Sequence, residues 1–181
     1  MSNYINNEDF LNAMIEYKKE IALAKENDKP SPPVPDYIGE CFLLIAERLS
    51  YRPNFINYAF KDDMISDGIE NCLQYVHNFN PEKSLNPFAY FTQIIYWAFV
   101  RRIQKEKKHL YVKYKEMERL QYLEDNIEQS EHGKGEYMTE VASNDMRIMI
   151  GDFIAEFEQK KAAKRKKKTV SEYAGIYSIW K

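Results

Sequence analysis

The residues best equipped to meet a ligand lie between Asn86 and Lys108, in NPFAYFTQIIYWAFVRRIQKEKK. Six of the twelve residues from Phe88 to Phe99 are aromatic, more than one core-facing stripe of a soluble helix can take up. On a wheel of about 100° per residue, Phe91, Ile94, Ile95, Ala98, Phe99 and Arg102 form one stripe, the expected core face. Tyr90, Gln93, Trp97, Val100 and Arg101 form a second. Aromatic rings stack unpaired bases for about 1–3 kcal/mol each, and an amide can pair with base edges. Arg101, Arg102, Lys105, Lys107 and Lys108 would neutralise phosphates. An aromatic platform with a basic stem suits a junction of single- and double-stranded nucleic acid. The second stripe also fits Tyr90 and Trp97 lying over a neighbouring helix with their polar tips wet. Tyr96 has no assignment on either face.

Other chemistry is sparsely provided for. The sequence offers no nucleophile–base pair and no phosphate-binding glycine loop, so no enzyme and no cofactor is expected. His77, His109 and His132 are scattered, without metal-ligand spacing. Cys41 and Cys72 sit in apolar helical patterns and read as buried, reduced thiols of an intracellular protein.

The elements that must position these residues are helical. With 6 glycines and 7 prolines in 181 residues and 30% charged residues, an all-α fold is expected. The polar start MSNYINNEDF resembles neither a signal nor a transit peptide. No apolar run nears the ~18 residues of a membrane span. Phe10, Met14, Tyr17, Ile21 and Ala24 give a first helix over Asn7–Lys25, with Asn7 or Asp9 as its cap. ENDKPSPPVPD, Glu26–Asp36, has four prolines and reads as a spacer. Ile38, Cys41, Phe42, Ile45 and Leu49 mark a second helix over Asp36–Leu49. A third, Lys61–Asn78, carries Ile65, Ile69, Cys72, Leu73 and Val76 on one side, with Asp62 or Asp63 as cap. Its other side holds Asp63, Ser66, Asp67, Glu70 and Gln74, a set that in most helices is simply solvated. Phe79–Pro87 is a turn, and Pro87 suits the first turn of the fourth helix, Phe88–Lys108. Helical pattern continues weakly through Leu110, Tyr114, Met117 and Leu120. Glu128–Tyr137 reads as a loop, and Asp145–Glu158 as a helix with Met146, Met149, Ile150, Phe153, Ile154 and Phe157 inward. Lys160–Lys168 has seven basic residues in nine, and the chain ends on the apolar SEYAGIYSIWK.

The segment DDMISDGIENCLQYVHNFNPEKSLNPFAYFTQIIYWAFVRRI, Asp62–Ile103, resembles conserved region 2 of the sigma-70 family. The order acidic helix, turn, aromatic-basic helix is shared with that family. Within it the chain is most similar to the late-transcription sigma factors of T-even-like bacteriophages. YINNEDFLNAMIEYKKE, LLIAERLS, MISDGIE, HNFNPEKSLNPFAYFTQ and FVRRIQKEKK carry the likeness from Tyr4 to about Lys115.

The resemblance implies that Asp63, Ser66, Asp67, Glu70 and Leu73 dock on the clamp helices of the largest catalytic subunit of host core RNA polymerase. It implies that Phe79 and Tyr90 hold a flipped adenine of a minus-ten-like, AT-rich promoter element. Gln93, Trp97, Val100, Arg101 and Lys105 would then contact promoter DNA. Gln93 and Ile94 stand where housekeeping sigma factors carry a tryptophan pair. Members of the phage late family work with a coactivator and a sliding clamp through a C-terminal peptide. Here Ile176, Tyr177, Ile179 and Trp180 would be that peptide, or else part of a final helix packed on the domain.

The expected organisation is a helix over 1–25, a proline-rich linker over 26–36 and a sigma region 2-like domain over 37–115. A helical and basic extension over 116–168 and an apolar tail over 169–181 follow. The function expected is that of a sigma factor in the cytoplasm of a bacterial host, directing polymerase to viral late promoters, with no membrane partner. The rivals are an anti-sigma or remodelling protein that binds polymerase without reading promoters, and a generic helical DNA-binding domain.

Overall fold

The computed structural model describes residues 5–130 and 144–178, with side chains described for 5–120 and 148–166. The described residues hold five α-helices and no strand: α1 (Asn7–Glu26), α2 (Asp36–Ser50), α3 (Lys61–Tyr75), α4 (Pro87–Ser130) and α5 (Asn144–Ser178). A 3₁₀ turn, Val76–Asn78, follows α3. The all-α class expected from composition is the class observed. None of the described helices is long and apolar enough to cross a membrane.

The chain divides into two units, Met1–Lys105 and Glu106–Lys181. The first takes in α1 and the proline-rich segment, which the sequence reading set apart, and it ends at Lys105 rather than Lys115. The reason is packing. Phe10, Met14 and Tyr17 of α1 are fully buried with Ile38, Phe42 and Ile45 of α2. The proline segment is more than a spacer, because the Tyr17 hydroxyl donates to the Pro32 carbonyl at 3.2 Å and Val34 packs on the core.

Capping also departs from expectation by small shifts. Asn6, not Asn7 or Asp9, caps α1, accepting from the Glu8 amide at 3.0 Å while its Nδ2 donates to Asp9 Oδ2 at 2.8 Å. Asn7 is thereby left to tie α1 to the start of α4. Its Nδ2 donates to the Leu85 carbonyl at 3.1 Å, and its Oδ1 accepts from the Phe88 amide at 3.4 Å. Asn86 Oδ1 accepts from the Ala89 amide at 2.9 Å, and Pro87 takes the first helical position, where its missing N–H costs nothing. No side chain caps α3, although Asp62 and Asp63 lie in its first turn, where the helix dipole favours them.

The buried stripe of α3 is rotated from the expected one. Met64, Gly68, Cys72 and Val76 are buried, Ile65 and Ile69 only partly so, and Leu73 is 42% exposed. Gly68 explains the rotation. A Cβ there would lie 3.0 Å from Ile95 Cγ2 and 3.2 Å from Phe99 Cε1, so α4 can press against α3 only where the side chain is absent. On α4, Phe91, Ile95, Ala98 and Phe99 are buried as the wheel indicates, and Ile94 partly.

The helix runs on to Ser130, and no glycine or proline occurs between Pro87 and Ser130 to interrupt it. It thus absorbs the weak pattern after Lys108 and the first residues of the expected loop; the rest of that loop, 131–137, lies outside the described residues. Likewise α5 continues past Glu158 to Ser178, since lysine, alanine and arginine are strong helix formers.

In the second unit Tyr111 stacks on Phe157 with centroids 4.4 Å apart, and Tyr114 meets Phe153 edge-on at 5.4 Å. Ile154 is buried, while Met149 is exposed. The Tyr111 hydroxyl donates to Glu158 Oε1 at 2.9 Å, and Lys115 Nζ lies 3.7 Å from the same oxygen.

Both cysteines are free and buried. Burial pushes the Cys72 thiol up from 9.0 to about 12 and raises Cys41 as well. An unfolded chain would release the Cys72 proton first. The corresponding stability is therefore full below pH 9 and is lost as pH rises from about 9 towards about 12. At pH 8 the native protein should resist a thiol-specific disulfide reagent and react at both cysteines only in denaturant. Rapid native labelling of Cys72 would contradict this burial.

Candidate functional site

α3 and α4 carry both groups of candidate residues, and the packing of one helix on the other decides which are available. On α3, Asp63, Ser66 and Glu70 are exposed, and Leu73 stands among them. Glu70 Oε1 accepts a long bond from Gln74 Nε2, 3.3 Å, and the side chain is exposed.

Asp67 behaves differently. Arg102 Nε donates to its Oδ2 at 2.6 Å and Arg102 Nη2 to its Oδ1 at 2.8 Å, a forked pair with side chains 29% and 17% exposed. One residue before, Arg101 Nη2 donates to Asn71 Oδ1 at 2.6 Å, and Asn71 Nδ2 donates back to the Asp67 carbonyl at 2.6 Å. Asp67 thus bolts α3 to α4, and Arg102, read as part of the apolar stripe, is its polar end.

On α4 the second face is largely present. Gln93, Arg101 and Lys105 are exposed, Trp97 is 51% exposed, and Tyr90 and Val100 are half-buried. Burial and the neighbouring Cys72 raise the Tyr90 phenol above its ordinary value, so it stays neutral and can donate a hydrogen bond. Arg101 is held in position by Asn71, which limits the rotamer freedom it would lose on meeting a phosphate.

Phe79 departs from the expected role. It is 1% exposed and belongs to the core, its ring 5.3 Å from Tyr90 and 5.9 Å from Phe91. In this structure Phe79 supports Tyr90 from behind and offers no face for a base. Phe79 directly follows the 3₁₀ turn, its amide donating to the Val76 carbonyl at 3.4 Å.

Tyr96, unassigned from sequence, leans edge-on against Phe55 at 5.6 Å and Trp97 at 5.5 Å. Phe55, in the turn after α2, is buried and also meets Phe99 at 5.2 Å. Phe55 thus backs Tyr96, and Tyr96 in turn backs the exposed tryptophan. Two partners escaped the sequence reading, Asn71 for Arg101 and Phe55 for Tyr96. Each is distant in sequence from its partner, and only Gly68, a glycine inside a helix, signalled a close helix approach.

An open groove of about 750 Å³ lies elsewhere, between Ile15, Lys18 and Lys19 of α1 and His77, Phe79 and Pro81. Lys18 Nζ donates to the His77 carbonyl within it. Among the described residues no cluster of three or more His, Cys, Asp or Glu could hold a metal ion.

Of the apolar tail, Ile176 and Tyr177 fall within α5, whose side chains there are not described, and Ile179 and Trp180 lie outside the described residues. Set against known proteins, the chain matches no family model, and no curated protein matches it in sequence.

Proposed function

We propose that this protein is a region 2-type sigma factor that recruits core RNA polymerase to promoters with an AT-rich minus-ten-like element. The observation that carries the reading is the pairing of two dissimilar faces in one unit. Asp63, Ser66, Glu70 and Leu73 offer a polar, acidic docking face with one apolar anchor. Tyr90, Gln93, Trp97, Arg101 and Lys105 offer rings, an amide and cations, the chemistry that bases and phosphates require. Under this reading the host polymerase's clamp helices bind α3 and melted promoter DNA lies along α4. A sliding clamp and late coactivator would act through the C-terminal peptide, in the cytoplasm of the infected bacterium.

Core polymerase capture and promoter melting separate the two faces. The pair Asp63→Lys/Glu70→Lys should bind core polymerase at least ~10-fold more weakly, because like charge replaces complementary charge across the interface. Asp67 is kept, since its loss would disturb the fold. Trp97→Ala should bind core polymerase normally yet open promoters poorly by permanganate footprinting, having lost about 1–3 kcal/mol of stacking. Normal capture by the lysine pair would remove the docking face from the proposal.

A second reading is a polymerase-binding regulator that reads no promoter. It is favoured by the burial of Phe79, which makes one of the two expected adenine-holding rings a core residue. That reading predicts that Trp97→Ala leaves promoter opening unchanged.

A further inference from the structure

Among the described side chains of α5, the last one packed against a neighbour is Phe157, stacked on Tyr111. From Glu158 to Lys166 every side chain is exposed, while the helix continues unbroken. Lysine and arginine dominate this exposed length, and the sequence has no acid between Glu158 and Glu172.

The cations are not spread evenly. With Lys160 at zero and about 100° per residue, Lys164, Lys161 and Arg165 fall at about 40°, 100° and 140°. Ala162, Lys166 and Ala163 fall at about 200°, 240° and 300°, on the other side. Lys160, Lys161, Lys164 and Arg165 therefore make a cationic face some two-fifths of the way round the helix.

This arrangement works against the helix itself. Lys160 with Lys164, Lys161 with Lys164 and Lys161 with Arg165 are like charges at three- and four-residue steps, each destabilising by about 0.2–0.5 kcal/mol. Glu156 accepts from Lys160 and offsets one of them. A linear polyanion along this face would relieve such repulsion.

The rear face narrows the class of polyanion. A helix that lies on a membrane needs large apolar side chains opposite its charges, and here Ala162, Ala163 and Lys166 stand in their place. A helix about 10–12 Å across with cations in front and no large apolar side chain behind matches the roughly 12 Å major groove and its flanking phosphates. We infer that the Lys160, Lys161, Lys164 and Arg165 face of α5 binds the phosphate backbone of duplex DNA, without reading sequence and without a protein partner. It uses residues other than the α4 face and does not depend on the sigma-factor reading.

The test uses the free full-length chain and a labelled random duplex of about 30 base pairs, titrated between about 50 and 200 mM salt. The variant is Lys160→Gln/Lys161→Gln/Lys164→Gln/Arg165→Gln, because glutamine keeps helix propensity while removing charge. For three to four phosphates, the slope of log K against log salt should flatten by about 3. Lys160→Arg/Lys161→Arg/Lys164→Arg, with its charge intact, should keep the wild-type slope. A second duplex of unrelated sequence should bind equally well. Equal slopes for wild type and the glutamine variant would overturn the inference. So would binding to vesicles containing phosphatidylserine with none to the duplex.

Discussion

Replacing Phe91 by alanine should cost the first unit about 3–5 kcal/mol, the usual range for deleting a buried phenyl ring. Phe91 is fully buried on α4, with ring centroids 4.6 Å from Phe42, 5.7 Å from Phe10, 5.1 Å from Tyr90 and 5.9 Å from Phe79. One side chain thus joins α1, α2, the turn after α3 and α4. The surrounding rings belong to four separate segments and cannot all move into the space left behind. Urea unfolding followed by circular dichroism measures the loss, and a cost below about 1 kcal/mol would mean that the cluster collapses far more freely than packed cores do. The same cluster bears on function. Phe79→Ala would also open this core, so a failure of promoter opening in that variant would not by itself report a lost base contact. Trp97→Ala has no such ambiguity, because its ring lies half in solvent.

Asp67→Ala should destabilise the first unit by about 1–3 kcal/mol, less than a fully buried pair would, because both partners keep some solvent. The loss arises from the Arg102 guanidinium, left largely buried without its forked acceptor. A double-mutant cycle with Arg102→Met isolates the pair. The double variant should be more stable than the sum of the single losses allows, since methionine needs no partner. Additive losses would show that the two side chains are not coupled. Asp67 is one of the acids that a sigma-like helix would turn towards a partner, yet here it faces inward to α4. Charge reversal at Asp67 would disturb the fold itself, whereas Asp63 and Glu70 can be reversed without touching the α3–α4 bolt.

These two residues also mark how far the sequence could be read. Phe91 was legible, because a three- and four-residue repeat places it with Ile95, Ala98 and Phe99 on one side of a helix whatever the partner is. The stripe of α2 was legible for the same reason, with Ile38, Cys41, Phe42, Ile45 and Leu49 all buried. Asp67 was not, because an acidic residue on a polar face reads alike whether it meets water, a partner or an arginine 35 positions away. The stripe of α3 was displaced because periodicity weighs apolar bulk, while the contact is made through the smallest residue, Gly68. The burial of Phe79 was not legible, because it lies in a short segment after α3 where no helical period assigns a face.

By itself the sequence determined what local rules govern. These are the helices and most of their boundaries, the break at the prolines, the second stripe of α4 and the cationic stretch of α5. Each follows from backbone geometry and side-chain type within a few residues. Only the tertiary structure decided which polar and aromatic groups remain available. Asp67 and Arg102 pair with each other and Phe79 lies in the core, while Tyr96 rests on Phe55 with part of its ring exposed and Trp97, Gln93, Asp63 and Glu70 are left in solvent. That division depends on contacts between segments far apart in the chain, and periodicity carries no information about them.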